Sequence, residues 1–295
     1  MSNCDCKCES QGGRVEAVRQ AIAKILAEND GKILDSIVAA DGSLYDLIPF
    51  EENASSLRNL REVFDDPYVG CFLLNSFPRT DAGYSAKLTS MIRNGELYGI
   101  TNWQIVGHGD KEATAGIFGI NYLDAAKTQV SILIASSAKG VIREIQNRIT
   151  PIIFDVLGFD RYYAFTFSYN IYCHAHFLAA GFVLDSINTE ILEQVYDEYR
   201  LVFVLTREKY DAMRREAADG VYRAGKTDRR YLENPHLIHP KARSLTDAVE
   251  SMKRNGLDEE KIRVCEAALA AVRDGNSAFL NGRGEAQKAK LILSF

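Results

Sequence analysis

The chain has 295 residues, of which 46% are apolar and 25% are charged, and its formal net charge is −5 at pH 7. These values are typical of a globular protein with one large domain, or a medium domain with additions. They exclude attachment to nucleic acid by charge alone. The sequence lacks the run of about 18 apolar residues that a membrane span needs, and its polar start, MSNCDCKCES, does not resemble a secretory signal. We therefore predict no membrane contact and a cytoplasmic location.

The six cysteines fall into two groups. Three form an alternating C-x-C-x-C cluster near the first residue, and three are isolated in apolar surroundings, where reduced core thiols are expected. Clustered thiolates can bind soft metals or oxidise, but structural zinc sites usually combine two C-x₂₋₄-C pairs. We expect no metal site here, with metal binding as the alternative. The cluster comprises Cys4, Cys6 and Cys8, and the isolated residues are Cys71, Cys173 and Cys265.

The N-terminal part predicts a tail, one helix and a first strand. Residues 1–13 are polar and are expected to be disordered. Between Val15 and Leu26, apolar residues recur every three or four positions, which predicts an amphipathic helix. Residues 32–41 are compatible with a helix or a strand, and residues 44–48 favour a strand.

The centre of the chain begins with a helix and continues with strands. Residues 53–64 place three apolar residues on one helical face. Strand signals follow at residues 96–101, 103–107 and 115–123, and residues 108–111 form a turn between the last two. We therefore expect consecutive hairpins in this region.

A β-α-β-α-β pattern comes next. Residues 129–135 (QVSILIA) form a short apolar run typical of a strand that is buried on both faces. A helix over residues 141–157 is expected to kink at Pro151, and residues 161–169 (RYYAFTFSY) favour a strand. The remaining elements are a helix over 170–180, a strand from 182, a short helix at 191–196 and a strand over 199–206. This order predicts an α/β fold with a mixed sheet.

The chain changes character after residue 206. A charged helix over 207–218 leads into a polar connector, and two helices over 245–254 and 258–273 predict an αα-hairpin. The apolar stripe of this hairpin is a candidate surface for a protein partner or for self-association.

The segment from 170 to 182 (NIYCHAHFLAAGF) has a distinctive spacing. An Asn opens the helix, a small residue follows three positions later and an aromatic residue seven positions later, and Gly-Phe closes it. The residues in these positions are Asn170, Cys173, Phe177, Gly181 and Phe182. The pattern resembles the second signature of the GNAT superfamily of acyl-CoA N-acyltransferases. Residues 129–146 are similar to the strand, phosphate-binding turn and helix that precede it in that family.

The resemblance implies a GNAT-like fold, α/β with a mixed sheet, that carries an N-terminal helix and a C-terminal helical extension. It divides the chain into a tail and helix (residues 1–42), an acyltransferase domain (43–207) and the extension (208–295).

The same resemblance implies a site for acetyl-CoA. The strands over 129–135 and 161–169 would separate and bind the pantetheine arm, and the turn over 136–142 would bind the pyrophosphate through backbone N–H groups and the start of a helix. The implied contact residues are Ile134, Ala135, Ser136, Ser137, Lys139, Gly140, Val141, Ile142, Arg143, Asn170 and Phe177.

The sequence departs from the family at two positions of this site. The turn usually reads Gln/Arg-x-x-Gly-x-Gly/Ala, whereas here the three slots hold Ser137, Gly140 and Ile142. A branched side chain at the third slot crowds the surface that approaches phosphate. Lys139 and Arg143 could partly offset this loss by their charge. In the family, a Tyr that acts as the general acid often occupies the position of Phe177, which has no hydroxyl group.

Three residues are candidates for catalysis. His108 and His174 could accept a proton, and Asn170 would lie beside the acyl donor. Each has a structural alternative: the two histidines could be ordinary surface or core residues, and Asn170 could serve only as a helix N-cap.

Two functions follow from the resemblance. The first is transfer of an acetyl group from acetyl-CoA to a primary amine whose identity the sequence does not give. The second is a structural role in which the donor site has decayed and the added helices mediate assembly, as in virion-associated proteins of short-tailed phages. The positions of Ile142 and Phe177 favour the second, and it would place the protein in a virion instead of the cytoplasm.

Overall fold

The structure is a computed structural model. It describes residues 5–39, 42–66, 69, 80–98, 101–124, 126–134, 141–188, 200–254, 256 and 259–273. The short helix predicted at 191–196 lies outside these ranges.

One eight-stranded sheet organises the protein, with its strands in the spatial order β1-β2-β3-β4-β5-β6-β8-β7. The strands are β1 (Leu34–Val38), β2 (Leu44–Pro49), β3 (Thr101–Gly107), β4 (Asp110–Asp124), β5 (Lys127–Ile134), β6 (Arg161–Phe167), β7 (Val183–Asn188) and β8 (Arg200–Thr206). Every neighbouring pair is antiparallel except β5 and β6, which are parallel. The parallel pair lies where hairpins give way to helical crossovers, as expected from the chain order.

Nine α-helices occur in the described ranges. They are α1 (Asp5–Glu28), α2 (Ala54–Phe64), α3 (Asp81–Tyr98), α4 (Val141–Pro151), α5 (Ile171–Ala179), α6 (Arg207–Glu216), α7 (Arg229–Glu233), α8 (Leu245–Arg254) and α9 (Glu259–Arg273). A π-helix (Ile152–Val156) follows α4, and a 3₁₀-helix (Pro235–Leu237) follows α7. None of these helices is long and apolar enough to cross a lipid bilayer.

Two hydrophobic cores lie on opposite faces of the sheet. On one face, α1, α4 and α5 pack against strand residues that include Trp103, Tyr162 and Phe203. On the other face, α2 and α3 pack against Phe50 and Ile117. Ile117 is buried on this face although its neighbour Phe118 belongs to the first core, because successive side chains of a strand point to opposite faces.

A mixed sheet with helical additions at both ends confirms the predicted fold class. The pairing of β1 with β2 also resolves the ambiguous segment over 32–41 as a strand. This strand joins the sheet from the part of the chain that the sequence assigned to the N-terminal tail and helix. Whether the proposed domain boundaries are correct stays a prediction.

Two local predictions are wrong. The first helix begins at Asp5, so residues 5–13 are helical and not disordered. In the strand predicted at 96–101, residues 96–98 are helical because α3 continues to Tyr98, and β3 begins only at Thr101. Tyr84, Leu88 and Met91 on α3 recur at helical spacing and are buried against α2, and this packing outweighs the short β-favouring run at the helix end.

The predicted kink at Pro151 takes the form of the π-helix, in which the Leu157 N–H donates to the carbonyl of Ile152. Two arginines bind the backbone carbonyls that this wide turn exposes. Arg14 of α1 donates to the Gly158 carbonyl at 2.8 Å, and Arg207 of α6 donates to the Phe159 carbonyl at 2.9 Å. Segments that are far apart in sequence therefore meet at the turn between α4 and β6.

The C-terminal helices α8 and α9 form the predicted hairpin. Their shared apolar side chains include Met252 and Cys265, which are fully buried. The same cluster contains Phe167 and Tyr169, so the hairpin packs on the chain at the end of β6. The Arg243 N–H, just before α8, donates to the Ser168 carbonyl at 2.9 Å and fixes this contact.

Candidate functional site

The central feature is an opening between β5 and β6. Parallel pairing starts at Lys127 and Arg161 and ends at Val130 and Ala164. Beyond that point β5 continues beside β4 as far as Ile134, which is opposite Gly116. Strand β6 continues beside β8 as far as Phe167, which is opposite Arg200. Each strand therefore follows its outer neighbour, and the two inner edges part.

Within the described ranges, the opening leaves backbone groups of both strands without a ladder partner on their inner edges. Backbone N–H and C=O groups are strong hydrogen-bonding groups, and buried ones are nearly always paired. An extended ligand with its own amide groups can satisfy such edges as an added strand does. This opening is the parting of the two strands that the family resemblance predicts.

Asn170 fixes the end of β6 and the start of α5. Its side-chain oxygen accepts a hydrogen bond from the Cys173 N–H at 3.3 Å, as an N-cap does. Its own N–H donates to the Phe167 carbonyl at 2.9 Å. Asn170 is buried and lies at the wide end of the opening. The N-cap is therefore present, and contact with an acyl donor stays a prediction.

Gly181 explains why the motif closes with glycine. Its φ is +86°, in the left-handed region that disfavours other residues, and it follows the last turn of α5. A Cβ atom at this position would lie 2.2 Å from the Met213 Sδ of α6. The backbone conformation therefore favours glycine here, and any side chain would also displace the flexible Met213 side chain.

Cys173 lies beside Asn170 on the first turn of α5. Burial raises the pKa of the Cys173 thiol to about 11, although hydrogen bonds with Asn170 and Thr166 oppose the shift. Since the thiolate is the nucleophilic form of cysteine, this residue stays protonated at neutral pH.

His174 is fully buried on α5, with its ring 5.5 Å from that of Phe203. Its Nε2 lies 2.8 Å from the Phe167 carbonyl, so the tautomer with hydrogen on Nε2 donates to this oxygen. Burial lowers the pKa of His174 to about 4, and the bond to Phe167 only partly opposes the shift. His174 is therefore neutral at pH 7 and holds the end of β6. Its catalytic role stays a prediction.

Phe177 is a core residue. It is 4% exposed, and its ring lies 5.4 Å from Phe182 and 5.6 Å from Phe203. An apolar ring in this position contributes packing and carries no proton. The predicted contact between Phe177 and the acyl donor is not tested by this packing and stays a prediction.

The predicted pyrophosphate turn lies mostly outside the described residues, which exclude Ala135, Ser136, Ser137, Lys139 and Gly140. Two flanking positions are described. Val141 is fully buried and begins α4, and Ile142 is half-buried.

Other flanking residues of the predicted donor site include Arg143 and Ile134. Arg143 is exposed on the first turn of α4, and the Ile134 backbone ends β5 beside Gly116. Whether these flanking residues bind the acyl donor stays a prediction.

His108 lies in a different part of the sheet. Its Nδ1 is 2.9 Å from the Asp46 carboxylate, which also accepts from Lys32 at 3.0 Å and from the Ser36 N–H at 2.9 Å. Burial favours a raised pKa for Asp46, but the hydrogen bonds from these three partners outweigh burial and lower the pKa.

The position of His108 separates it from the other two catalytic candidates. It precedes β4, and positions 110 to 116 of that strand extend about 20 Å beyond the end of β5, at about 3.4 Å per residue. The structure therefore brings Asn170 and His174 together on α5 and leaves His108 at a distance. A catalytic role for His108 stays a prediction.

The described part of the chain offers no further candidate metal site, because no three His, Cys, Asp or Glu side chains form a cluster there. Cys4 lies outside that part, and Cys6 and Cys8 fall at the start of α1. The expected absence of a metal at this cysteine cluster stays a prediction.

One feature of the site was missed by sequence reasoning: the contact of α8 and α9 with Tyr169, next to Asn170. His176, the second histidine of α5, was considered with His174 as a possible catalytic residue. It is 8% exposed, and its Nε2, like the Nδ1 of His174, has no hydrogen-bond partner in the described ranges.

Comparisons with solved structures find acetyltransferases. A probable GNAT-family acetyltransferase from Chromobacterium violaceum is 13% identical, with 59% of this chain and 89% of that chain covered and a TM-score of 0.49. The ribosomal-protein-S5-alanine acetyltransferase from Vibrio fischeri is 14% identical, with 56% and 93% covered and a TM-score of 0.47.

A third similar structure is the microcin C7 self-immunity acetyltransferase in complex with acetyl-CoA and AMP. It is 14% identical, with 55% of this chain and 92% of that chain covered and a TM-score of 0.47. No family model and no curated protein matches the sequence. The strand order and the opening between β5 and β6, not these similarities, identify the GNAT-like fold.

Proposed function

We propose that the protein is an N-acetyltransferase that moves an acetyl group from acetyl-CoA to a primary amine. One observation carries the proposal: β5 and β6 separate after Val130 and Ala164 while each stays bonded to its outer neighbour. Because each strand stays hydrogen-bonded to its outer neighbour, the gap between the two inner edges is preformed. This gap fits an extended, amide-containing ligand. The pantetheine arm of acetyl-CoA is such a ligand.

The two ends of the slot fit the two ends of the donor. The inner edge of β5, up to Ile134, would pair with the amides of the pantetheine arm. The N-terminus of α4, with Arg143 on its first turn, would attract the pyrophosphate by its partial positive charge and by the guanidinium. Lys139 and Gly140 would complete the turn, as the family resemblance implies.

The reaction is a direct transfer between donor and acceptor. The neutral amine nitrogen attacks the thioester carbonyl carbon, so that a C–N bond forms and the C–S bond breaks. The amine proton passes to water, and CoA leaves as a thiolate. This route needs no protein nucleophile, and burial raises the pKa of the Cys173 thiol to about 11, which disfavours its thiolate at neutral pH.

The chain's own residues hold the reacting groups in place. Asn170 positions the wide end of the slot through its N-cap, and His174 ties the Phe167 carbonyl to α5. Since Phe177 offers no hydroxyl group, the leaving thiolate takes its proton from solvent. A thiolate is a stable leaving group, so this costs rate without preventing the reaction.

Isothermal titration calorimetry with acetyl-CoA tests the proposal. We expect saturable heat with one site per chain, and release of free thiol when a panel of primary amines is added. Absence of heat at millimolar acetyl-CoA would contradict the proposal. Heat without turnover on any amine would restrict the protein to donor binding.

A further inference from the structure

One segment of the C-terminal extension, the strap (residues 222–225), joins the two helices that follow β5 and β6 in the chain. The Ala224 N–H donates to the Asn147 Oδ1 atom of α4 at 2.7 Å. The next N–H, that of Gly225, donates to the Ala179 carbonyl at the end of α5, also at 2.7 Å. Two successive residues of the strap are therefore hydrogen-bonded to two different helices.

The strap is anchored in the core of the protein. Tyr222 is 1% exposed, and its hydroxyl group donates to the Ala180 carbonyl at 2.8 Å. The Tyr222 ring also lies 5.5 Å from the ring of Tyr210 on α6. A Cβ atom at Gly225 would lie 3.0 Å from the carbonyl oxygen of Ala179, which is a backbone atom. The strap therefore lies directly against the backbone of α5, with little room for a side chain at residue 225.

The strap binds both helices at a distance from the ends that border the opening. At about 1.5 Å per residue, Asn147 lies about 9 Å along α4 from Val141, and Ala179 lies about 12 Å along α5 from Ile171. Both helices also pack on one face of the sheet, but apolar packing is not directional. The hydrogen bonds of the strap are directional, so they select one arrangement of the two helices. A change in their angle at the strap would displace both helix starts at the opening.

We propose that the strap is a positioning segment for the donor site, which fixes α4 and α5 so that the opening between β5 and β6 keeps the width that acetyl-CoA needs. Each helix follows one of the two parted strands in the chain, so the placement of the helix pair constrains the strand ends. When the strap is loosened, only a fraction of the molecules holds the binding arrangement, and the apparent affinity falls by that fraction. This inference rests on the proposed acetyl-CoA binding.

Calorimetry with acetyl-CoA on the full chain tests the strap at each helix. Asn147→Leu removes the acceptor on α4, and Gly225→Val pushes the strap away from the backbone of α5. We expect each substitution to weaken acetyl-CoA binding about fivefold, as the loss of one net hydrogen bond from the binding arrangement does. Asn147→Asp keeps an oxygen that accepts from the Ala224 N–H, so it should retain the affinity of the unsubstituted protein.

Asn53→Ala is the matched control. It also removes a side-chain acceptor of a backbone N–H, but this acceptor lies at the start of α2, on the other face of the sheet. The control should lose stability to a similar extent and bind acetyl-CoA with unchanged affinity. The comparison therefore separates positioning of the opening from a general loss of stability.

Amide hydrogen exchange tests the same coupling in the unsubstituted protein. Because coupling between two sites is reciprocal, a ligand whose binding is favoured by the strap must also stabilise the strap. Saturating acetyl-CoA should therefore slow exchange of the Ala224 and Gly225 amides about fivefold. The amide of Ser56 in the first turn of α2 should be slowed less, since α2 is on the other face of the sheet.

Three results would overturn the inference. They are unchanged affinity in folded Asn147→Leu, an equal loss of affinity in Asn53→Ala, and exchange at Ala224 and Gly225 that does not respond to acetyl-CoA. If Gly225→Val does not fold, Asn147→Leu and the exchange measurement decide. Failure of the unsubstituted protein to bind acetyl-CoA would instead contradict the proposed function itself, and the role of the strap with it.

Discussion

The two edges of β6 behave differently. Toward β8, every residue from Arg161 to Phe167 is in register with a partner, whereas toward β5 the register ends at Ala164. The same residues of the same strand thus form a continuous ladder on one side and an opening on the other. The opening therefore does not arise from a weak strand. It arises because β5 follows β4 while β6 stays fixed to β8.

The closed edge should carry much of the stability. Phe203 of β8 is fully buried opposite Ala164 and contacts both His174 and Phe177. We expect Phe203→Ala to lower the free energy of unfolding by about 3–5 kcal/mol, because a large cavity forms in the core. Urea denaturation measures the change.

The control for Phe203 is on the neighbouring strand. Val183 of β7 is 52% exposed, so Val183→Ala should change the free energy of unfolding by no more than about 0.5 kcal/mol. A loss below about 1 kcal/mol for Phe203→Ala would show that the β6–β8 side is not the rigid support of the opening.

Acid should lower the free energy of unfolding on the β6–β8 side of the sheet, because His174 packs there in its neutral form. Its pKa is about 4 when folded and 6.5 by its ordinary value, so the unfolded chain takes up the proton first as the pH falls. Stability is therefore lost between pH 6.5 and pH 4, by about 3 kcal/mol for this residue. Denaturation series at several pH values should show a shallower loss for His174→Phe than for the unsubstituted protein. Parallel curves would mean that His174 is not buried in the neutral form.

The open edge should respond to ligand. Acetyl-CoA at about 100 times its dissociation constant should raise the free energy of unfolding by about 2.7 kcal/mol, since the ligand binds only the folded chain. The Val183→Ala variant should show the same increase, because β7 is remote from the opening in the strand order. Thermal unfolding at rising acetyl-CoA concentrations measures it, and an unchanged midpoint would refute a binding slot on this edge.

The smallest expected effect concerns two asparagine caps. Asn170 caps α5 at the opening, and Asn53 caps α2 by accepting from the Ser56 N–H at 2.8 Å. Replacement of either by Ala should lower the free energy of unfolding by about 1 kcal/mol. Only Asn170→Ala should also weaken acetyl-CoA binding in calorimetry. Equal affinity for acetyl-CoA in both variants would mean that Asn170 acts only as a helix cap.

Local patterns predicted the elements whose own side chains set their structure. The apolar run of β8, the spacing of α8 and the Asn-capped starts of α2 and α5 all follow from neighbouring residues. The end of α3 did not, because its helical state depends on burial of Tyr84 and Leu88 against α2. Packing between segments distant in sequence has no local signature.

The candidate site also combines features that local sequence predicts with features that depend on contacts between distant segments. The parting of β5 and β6 was predicted from the family resemblance, which rests on residues 129–146 and 170–182. The surroundings of His176 were not, because Arg143 comes from another helix. The separation of His108 from Asn170 also depends on how far the β3–β4 hairpin extends beyond β5, which residue types alone do not set.

The wide turn after Pro151 has a consequence for shortening the chain. Arg14 precedes the proposed acyltransferase domain (43–207) and donates to the part-buried Leu157 carbonyl at 2.5 Å. A fragment that begins at residue 43 would lose this donor and leave that carbonyl unsatisfied, at a cost of about 1–3 kcal/mol. Arg207, the last residue of the domain, donates to the Phe159 carbonyl at 2.9 Å, so a fragment also has to include it. We therefore expect a fragment without α1 to be less stable than the full chain.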